Sequence, residues 1–208
     1  MAIRSPKAAA PAGGFSLIEV LVAITIVMVG LLGLAGMQAR AQVAEFESYQ
    51  RAQALVLLYD MIDRLNNNRT TASCFAITTS TRYYGDNLGT PTCSAGNPAD
   101  NALAVAAMTA WDSLLQGTAE KKGASATNVG AMIGARGCVT YAATTEYVAA
   151  TTGIPITGTG EYMVAVSWQG MAATFPPTKS CGSATQYGSE SQRRTVWATM
   201  RIGTLLQR

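Results

Sequence analysis

The 208-residue chain contains no histidine, and only 13% of its residues are charged, about half the usual share of one quarter. Without histidine, the chain cannot build Ser-His-Asp or Cys-His nucleophile systems, or metal sites that use imidazole ligands. No paired carboxylates stand in a recognisable catalytic motif either. The composition therefore argues against an enzyme, and we expect no cofactor.

The chain also has little net charge, with a formal value of +3. Two of the 15 basic residues, Arg4 and Lys7, precede the first apolar segment. The rest of the chain has 13 basic and 12 acidic residues. Since no excess of positive charge remains in the body of the chain, nothing in the sequence favours nucleic-acid binding.

Four cysteines are present, and none forms a CxxC pair. Such wide spacing disfavours a zinc site, so we expect no metal. An even number of cysteines beyond a membrane-targeting segment indicates disulfides formed in an oxidising compartment. Three pairings are possible, with free buried thiols as the alternative. We favour Cys74–Cys93 and Cys138–Cys181.

No proline interrupts residues 15–66, which predict one long helix. Its first part, FSLIEVLVAITIVMVGLLGLAGM at 15–37, has Glu19 as its only charged residue. As a helix this run spans roughly 35 Å, enough to cross a bilayer. The second part is amphipathic and ends at three asparagines, 66–68. Its predicted apolar stripe consists of Leu55, Leu58, Ile62 and Leu65.

The first 14 residues, MAIRSPKAAAPAGG, have the composition of a cytoplasmic leader rather than part of a fold. In an ordinary secretory signal the processing site follows the apolar region, whereas here the candidate site, between Gly14 and Phe15, precedes it. Cleavage there would leave the apolar helix on the mature protein. Arg4 and Lys7 would keep the leader in the cytoplasm, so the C-terminal domain would lie outside the inner membrane.

The rest of the chain predicts a small α+β domain. We expect a second helix at 99–116, a flexible glycine-rich connection at 117–135, and strands at 137–149, 161–169 and 194–205. The second helix has an apolar stripe of Leu103, Ala107, Trp111, Leu114 and Leu115. Three strands without intervening helices predict an antiparallel sheet packed on the long helix. Trp111 and Trp168 are expected in the core, with ligand platforms as the alternative. Arg193-Arg194 is expected to be a solvated entry to the last strand, with a docking patch as the alternative.

The segment GGFSLIEVLVAITIVMVGLLGLAGMQ resembles the class III signal of type IV prepilins. This resemblance implies cleavage between Gly14 and Phe15 by a membrane aspartyl peptidase, the prepilin peptidase, and methylation of the new N-terminus at Phe15. Glu19 would then be the fifth residue of the mature chain. Gly14, which has no side chain, would let the scissile backbone lie extended in the peptidase cleft.

Other segments resemble the minor pilins called type IV pilus modification protein PilV. They are GLLGLAGMQARAQ at 30–42, ALVLLYDMIDRLNNNR at 54–69, AVSWQG at 165–170, CG at 181–182 and the Arg193-Arg194 pair. The resemblance implies a type IV pilin-like fold with a leader at 1–14, a transmembrane and assembly helix at 15–38, its periplasmic continuation at 39–66 and a periplasmic head at 67–208.

Glu19 is the residue for which the resemblance and the physics suggest a mechanism. A carboxylate in an apolar helix is costly unless it is paired. The partner that we expect is the α-amine of Phe15 in a neighbouring subunit, which is largely protonated at neutral pH; the alternative is an unpaired carboxylate at the membrane interface. For Gly30, Gly33 and Gly36 there are two interpretations. They allow close helix packing or local melting, or they only reflect the frequency of glycine in membrane helices.

The expected function is that of a minor pilin which primes or caps type IV pilus assembly and supports pilus biogenesis, twitching motility and adhesion. The alternatives are a minor pseudopilin of the type II secretion system and a tip-displayed ligand-binding module. The implied partners are the prepilin peptidase, other minor pilins and the major pilin, a tip adhesin and the inner-membrane assembly platform. The protein would begin in the inner membrane as a single-pass protein and end in the pilus.

Overall fold

A computed structural model describes residues 13–79, 82–86, 88–119, 121–123, 127–128, 130 and 132–203. The chain divides into two compact units, the first ending at Glu45 and the second beginning at Phe46.

Helix α1 spans Leu17–Asn67 and contributes residues to both units. The sequence predicted this helix over 15–66, so each end differs by no more than two residues. The asparagines end it because the side chain of Asn68 donates to the carbonyl of Arg64 at 2.8 Å, which satisfies an acceptor of the last turn. A short 3-10 helix, Arg69–Phe75, follows directly.

In the second unit, one face of α1 is buried in the core. The buried residues are Gln50, Ala54, Leu58, Met61 and Leu65. Two members of the predicted stripe, Leu58 and Leu65, are therefore central, while Leu55 and Ile62 pack at the edge of the core.

Helix α2 spans Pro98–Leu115 and begins at a well-formed cap. The Asn97 side chain accepts from the amide of Asp100 at 2.9 Å, and proline occupies the first turn, where its missing N–H costs nothing. The predicted apolar stripe was wrong at Leu103, which is 64% exposed. The buried positions are Ala104, Met108, Trp111 and Leu115.

Trp111 explains how α2 is rotated about its axis. Its indole N–H donates to the carbonyl of Leu57 at 2.9 Å, which ties α2 to α1. Its ring lies so close to Gly137 that a Cβ there would be 2.2 Å from the indole. Glycine is therefore required at this point of the sheet, and Trp111 is a core residue, as expected.

A three-stranded antiparallel sheet forms the other half of the core. Strands β1 (Lys121–Lys122) and β2 (Thr127–Asn128) make a separate small ribbon. The main sheet has the order β3 (Arg136–Ala142), β4 (Glu161–Gln169), β5 (Arg193–Arg201). The predicted α+β fold, a long N-terminal helix with a small antiparallel sheet, is confirmed.

The predicted boundaries differ from the structure at several places. The last strand, expected at 194–205, spans Arg193–Arg201, and residues 204 and 205 lie outside the described residues. The strand expected at 137–149 ends at Ala142, because a 3-10 turn at Ala143–Thr145 follows and Thr145 bonds the ends of both neighbouring strands through its hydroxyl. The connection at 117–135, expected to be flexible throughout, carries the β1–β2 ribbon.

Both faces of the main sheet are covered. One face of β4 joins the core that contains the buried faces of both helices. Its alternating side chains are Tyr162, Val164, Val166 and Trp168. On the opposite face, Ala165 is buried in a cluster with Tyr83, Cys138 and Cys181. The loop between β4 and β5 supplies Cys181, so this loop folds over the outer face of the sheet.

Candidate processing and assembly segment

The predicted cleavage site lies in an open stretch just before α1. Gly13 and Gly14 are exposed and non-helical, and a Cβ at Gly14 would meet nothing within 4 Å. Phe15 is 85% exposed. The backbone at the Gly14–Phe15 bond is therefore not covered by any described residue. Most of the predicted leader, residues 1–12 with Arg4 and Lys7, lies outside the described residues.

Glu19 lies in the first turn of α1, and its amide donates to the carbonyl of Ser16 at 3.0 Å. A carboxylate there is favourably placed near the positive end of the helix dipole. Among the described residues no basic side chain forms a salt bridge with it. Within the described part of this chain, the Glu19 carboxylate therefore has no ionic partner.

The apolar run that follows Glu19 is uncovered in the first unit. Its large side chains from Leu17 to Met37 are all exposed, and the most apolar stretch of α1 has none of its residues buried. By length and composition, helix α1 is able to cross a membrane. So much contiguous apolar surface on a chain requires lipid or other apolar helices to cover it.

The three glycines at 30, 33 and 36 leave part of this helix without side chains. A Cβ at any of them would meet nothing within 4 Å, and α1 is helical through all three. The open surface is compatible with close approach of another helix. The structure of this chain contains no helix break at these positions.

The sequence comparisons bear on the same segment. Residues 11–35 match the prokaryotic N-terminal methylation motif. The match supports a type IV pilin-family protein. No curated protein and no solved structure matches the chain. A pilin-type motif on an exposed apolar helix supports a membrane-anchored pilin, processed by a prepilin peptidase and assembled with other pilins. It points to a structural protein rather than an enzyme.

The pilin-like head contains a polar contact that sequence reasoning missed. Glu47 of α1 accepts from the amides of Met171 and Ala172 at 3.1 and 3.2 Å, and from the Arg194 guanidinium at 3.0 Å. We call these four residues the helix–loop latch. Arg194 also donates to the Ala172 carbonyl at 2.7 Å. Glu47 and Arg194 are 147 positions apart, and no local sequence pattern predicts their contact.

The expected solvated strand entry at Arg193-Arg194 is therefore wrong. Arg194 is a member of the helix–loop latch, and Arg193 is buried with only 4% of its side chain exposed. Arg193 forms its salt bridge with Glu190. Strand alternation places the two neighbouring side chains on opposite faces of the sheet.

Two disulfides connect the loops of the head. Cys74 is bonded to Cys93 with a Cα–Cα distance of 5.3 Å, and Cys138 to Cys181 with one of 5.7 Å. These are the two pairs favoured from the sequence. The first joins the end of the 3-10 helix after α1 to the segment before α2, and the second attaches the β4–β5 loop to β3.

Proposed function

We propose that this chain is a minor pilin of the PilV type, which primes or caps a type IV pilus and thereby supports pilus biogenesis, twitching motility and adhesion. The observation that carries the proposal is an uncovered apolar helix with a carboxylate, Glu19, that has no ionic partner in the described chain, attached to a head with its own core. Helices of neighbouring subunits in a filament would cover the apolar surface.

The proposed sequence of events begins in the inner membrane, with the leader 1–14 in the cytoplasm and the head in the periplasm. Prepilin peptidase cleaves after Gly14, and Phe15 is methylated. The helix at 15–38 then leaves the lipid and enters the filament, where the Glu19 carboxylate meets the α-amine of Phe15 in a neighbouring subunit. Opposite charges attract strongly among packed apolar helices, where the local dielectric is low.

The test separates membrane insertion from filament entry. We expect Glu19→Gln to insert and to be cleaved normally, because a charge is removed from an apolar helix and the Gly14–Phe15 bond is unchanged. Its capture into filaments should fail, since the neighbour's ammonium would lie unpaired among packed helices. The measurement is the ratio of sheared-filament to membrane content by immunoblot, with surface pili counted by electron microscopy.

Glu45→Gln is the matched control, because it removes a carboxylate from the same helix outside the apolar run. We expect its filament-to-membrane ratio to equal that of the unchanged protein. A Glu19→Gln protein that enters filaments at the normal ratio would contradict the pairing mechanism. If the unchanged protein is absent from sheared pili but present in a secretion filament, the pilus assignment itself is wrong.

A further inference from the structure

A cavity of about 530 Å³ opens on the outer face of the sheet, beside the Cys138–Cys181 disulfide. This volume lies within the range of small-ligand sites, roughly 300–1,000 Å³. The lining residues on which the argument depends are Tyr83, Thr140, Ser180, Glu190 and Arg193.

Arg193 is the unusual member of this wall. Only its Nη2 atom has a partner, the Glu190 carboxylate, while Nε and Nη1 are shielded from solvent and have no hydrogen-bond partner among the described residues. A buried charged donor without an acceptor is costly. The neighbouring Arg194 donates to oxygens of Glu47, Thr174 and Ala172, so the fold is able to satisfy an arginine here.

The two charged side chains among the described lining residues differ in their exposure to water. The Glu190 side chain is 41% exposed, whereas that of Arg193 is 4% exposed. Water screens the exposed carboxylate more than the buried guanidinium, so the pair does not cancel in the interior of the cavity. The inner wall therefore favours a ligand with a negative group.

The remaining walls favour a polyhydroxylated ligand. Thr140 and Ser180 are both exposed and place hydroxyls at the cavity, and Tyr83 contributes an aromatic side chain. Hydroxyls donate and accept hydrogen bonds, as sugar hydroxyls do. An anion of phosphate or sulfate size would fill only a small part of 530 Å³.

We propose that this cavity binds an acidic sugar, a uronic acid ring whose carboxylate lies against Arg193 and whose hydroxyls contact Thr140 and Ser180. A carboxylate against this wall is attracted by the positive charge of the buried guanidinium. This inference is independent of the proposed function, because a ligand site in the head does not require that the chain enter a filament.

The test compares D-glucuronate with D-glucose, which differ only in the oxidation state of C6. The full chain is purified in a detergent without a sugar headgroup, and binding is followed by saturation-transfer difference NMR titration at neutral pH. Because the guanidinium attracts a carboxylate and not the neutral hydroxyl at C6 of glucose, glucuronate is expected to bind at least about ten-fold more tightly than glucose. No glucuronate signal, or equal affinities for the two sugars, would overturn the proposal.

Two loop variants locate the site. Ser180→Trp fills the mouth of the cavity from an exposed position and is expected to abolish the glucuronate signal. Thr178→Trp places the same side chain two residues away, outside the lining, and is expected to retain it. An unchanged signal in Ser180→Trp, or an equal loss in both variants, contradicts the proposed location.

Arg193→Gln tests the role of the charge, with its fold checked by circular dichroism. A folded Arg193→Gln protein is expected to bind the two sugars equally. One that keeps the preference for glucuronate contradicts the role of Arg193. If this variant does not fold, the comparison of Ser180→Trp with Thr178→Trp decides the proposal.

Discussion

At the residue scale, the surroundings of an ionisable group decide what it contributes. Arg194 and Arg193 are adjacent in β5, yet the first meets the Glu47 carboxylate and three further oxygens while the second has two nitrogens without an acceptor among the described residues. Asp112 of α2 is a third case, because it is partly buried and accepts from the Gly85 amide at 2.7 Å.

Gly14 is expected to be sensitive to a charged side chain. Gly14→Glu places a bulky carboxylate beside the scissile bond, so the precursor, 14 residues longer than the mature chain, should accumulate on immunoblots. Ala9→Glu adds the same charge to the leader away from the bond and should mature normally. A Gly14→Glu protein of mature length, with an N-terminus at Phe15 by mass spectrometry, would contradict the proposed cleavage site.

Asp112 predicts a pH dependence of stability. Burial raises its pKa above the ordinary value of 3.8, the Gly85 hydrogen bond and Arg136 oppose the shift, and Asp86 reinforces it. The folded state thus holds this proton more tightly than the unfolded state does. The contribution of Asp112 is fully present below pH 3.8 and is lost as the pH rises through the folded pKa.

Asp112→Asn isolates this effect, since asparagine does not titrate and keeps an acceptor for the Gly85 amide. We expect the free energy of unfolding of the unchanged protein, relative to that of Asp112→Asn, to fall as the pH rises above 3.8. Urea unfolding over this pH range measures the difference. A difference that grows with pH would show that the sign of the shift is wrong.

At the scale of elements, α1 does more than present an apolar face to the sheet. Glu47 of α1 accepts hydrogen bonds from two backbone amides at the start of the β4–β5 loop and from the Arg194 guanidinium of β5. The helix therefore fixes the start of this loop. The side chains of Glu47 and Arg194 are 27% and 15% exposed, which limits solvent screening of the pair. The helix–loop latch therefore joins an element near the start of the head to one near its end.

A double-mutant cycle measures this contact. Because the pair is largely buried and charge-assisted, we expect a coupling of about 1–3 kcal/mol between Glu47→Ala and Arg194→Ala. The matched control is the Glu161–Arg201 pair, which is more exposed at 41% and 33%. Its coupling should lie below about 1 kcal/mol. Equal couplings for the two pairs would mean that the latch is no stronger than a surface ion pair.

At the scale of the whole molecule, the head is a core with a covered sheet, and the disulfides keep its loops in place. Cys138–Cys181 closes a segment of 43 residues and lies against Ala165 on the outer face of the sheet. Cys74–Cys93 closes only 19 residues. The longer loop has more conformational entropy to lose when the bond restricts the unfolded chain.

Replacing each pair by alanine is expected to destabilise the head to different degrees. The loop-entropy relation gives about 3 kcal/mol for the Cys74–Cys93 bond and about 4 kcal/mol for Cys138–Cys181. Chemical denaturation of the two double variants measures both values. A smaller loss for Cys74→Ala/Cys93→Ala supports the entropic account, and a larger one would show that local packing near the first bond dominates.

Some features of this protein follow from its sequence alone, because they depend on neighbouring residues. The apolar run at 15–37, the motif around Gly14 and the limits of β4, which coincide with the predicted 161–169, can all be read from local composition or a period of two. The single helix from Leu17 to Asn67 follows from the absence of proline and from the terminal asparagines.

Other features were decided only by tertiary structure, because they depend on contacts between distant residues. Leu103 is exposed and Ala104 buried because Trp111 binds the carbonyl of Leu57, 54 positions away, and thereby sets the rotation of α2. The roles of Arg193 and Arg194 likewise depend on what each face of the sheet meets. A local pattern carries no information about a partner 147 residues distant, so only the folded chain could assign Glu47 to Arg194.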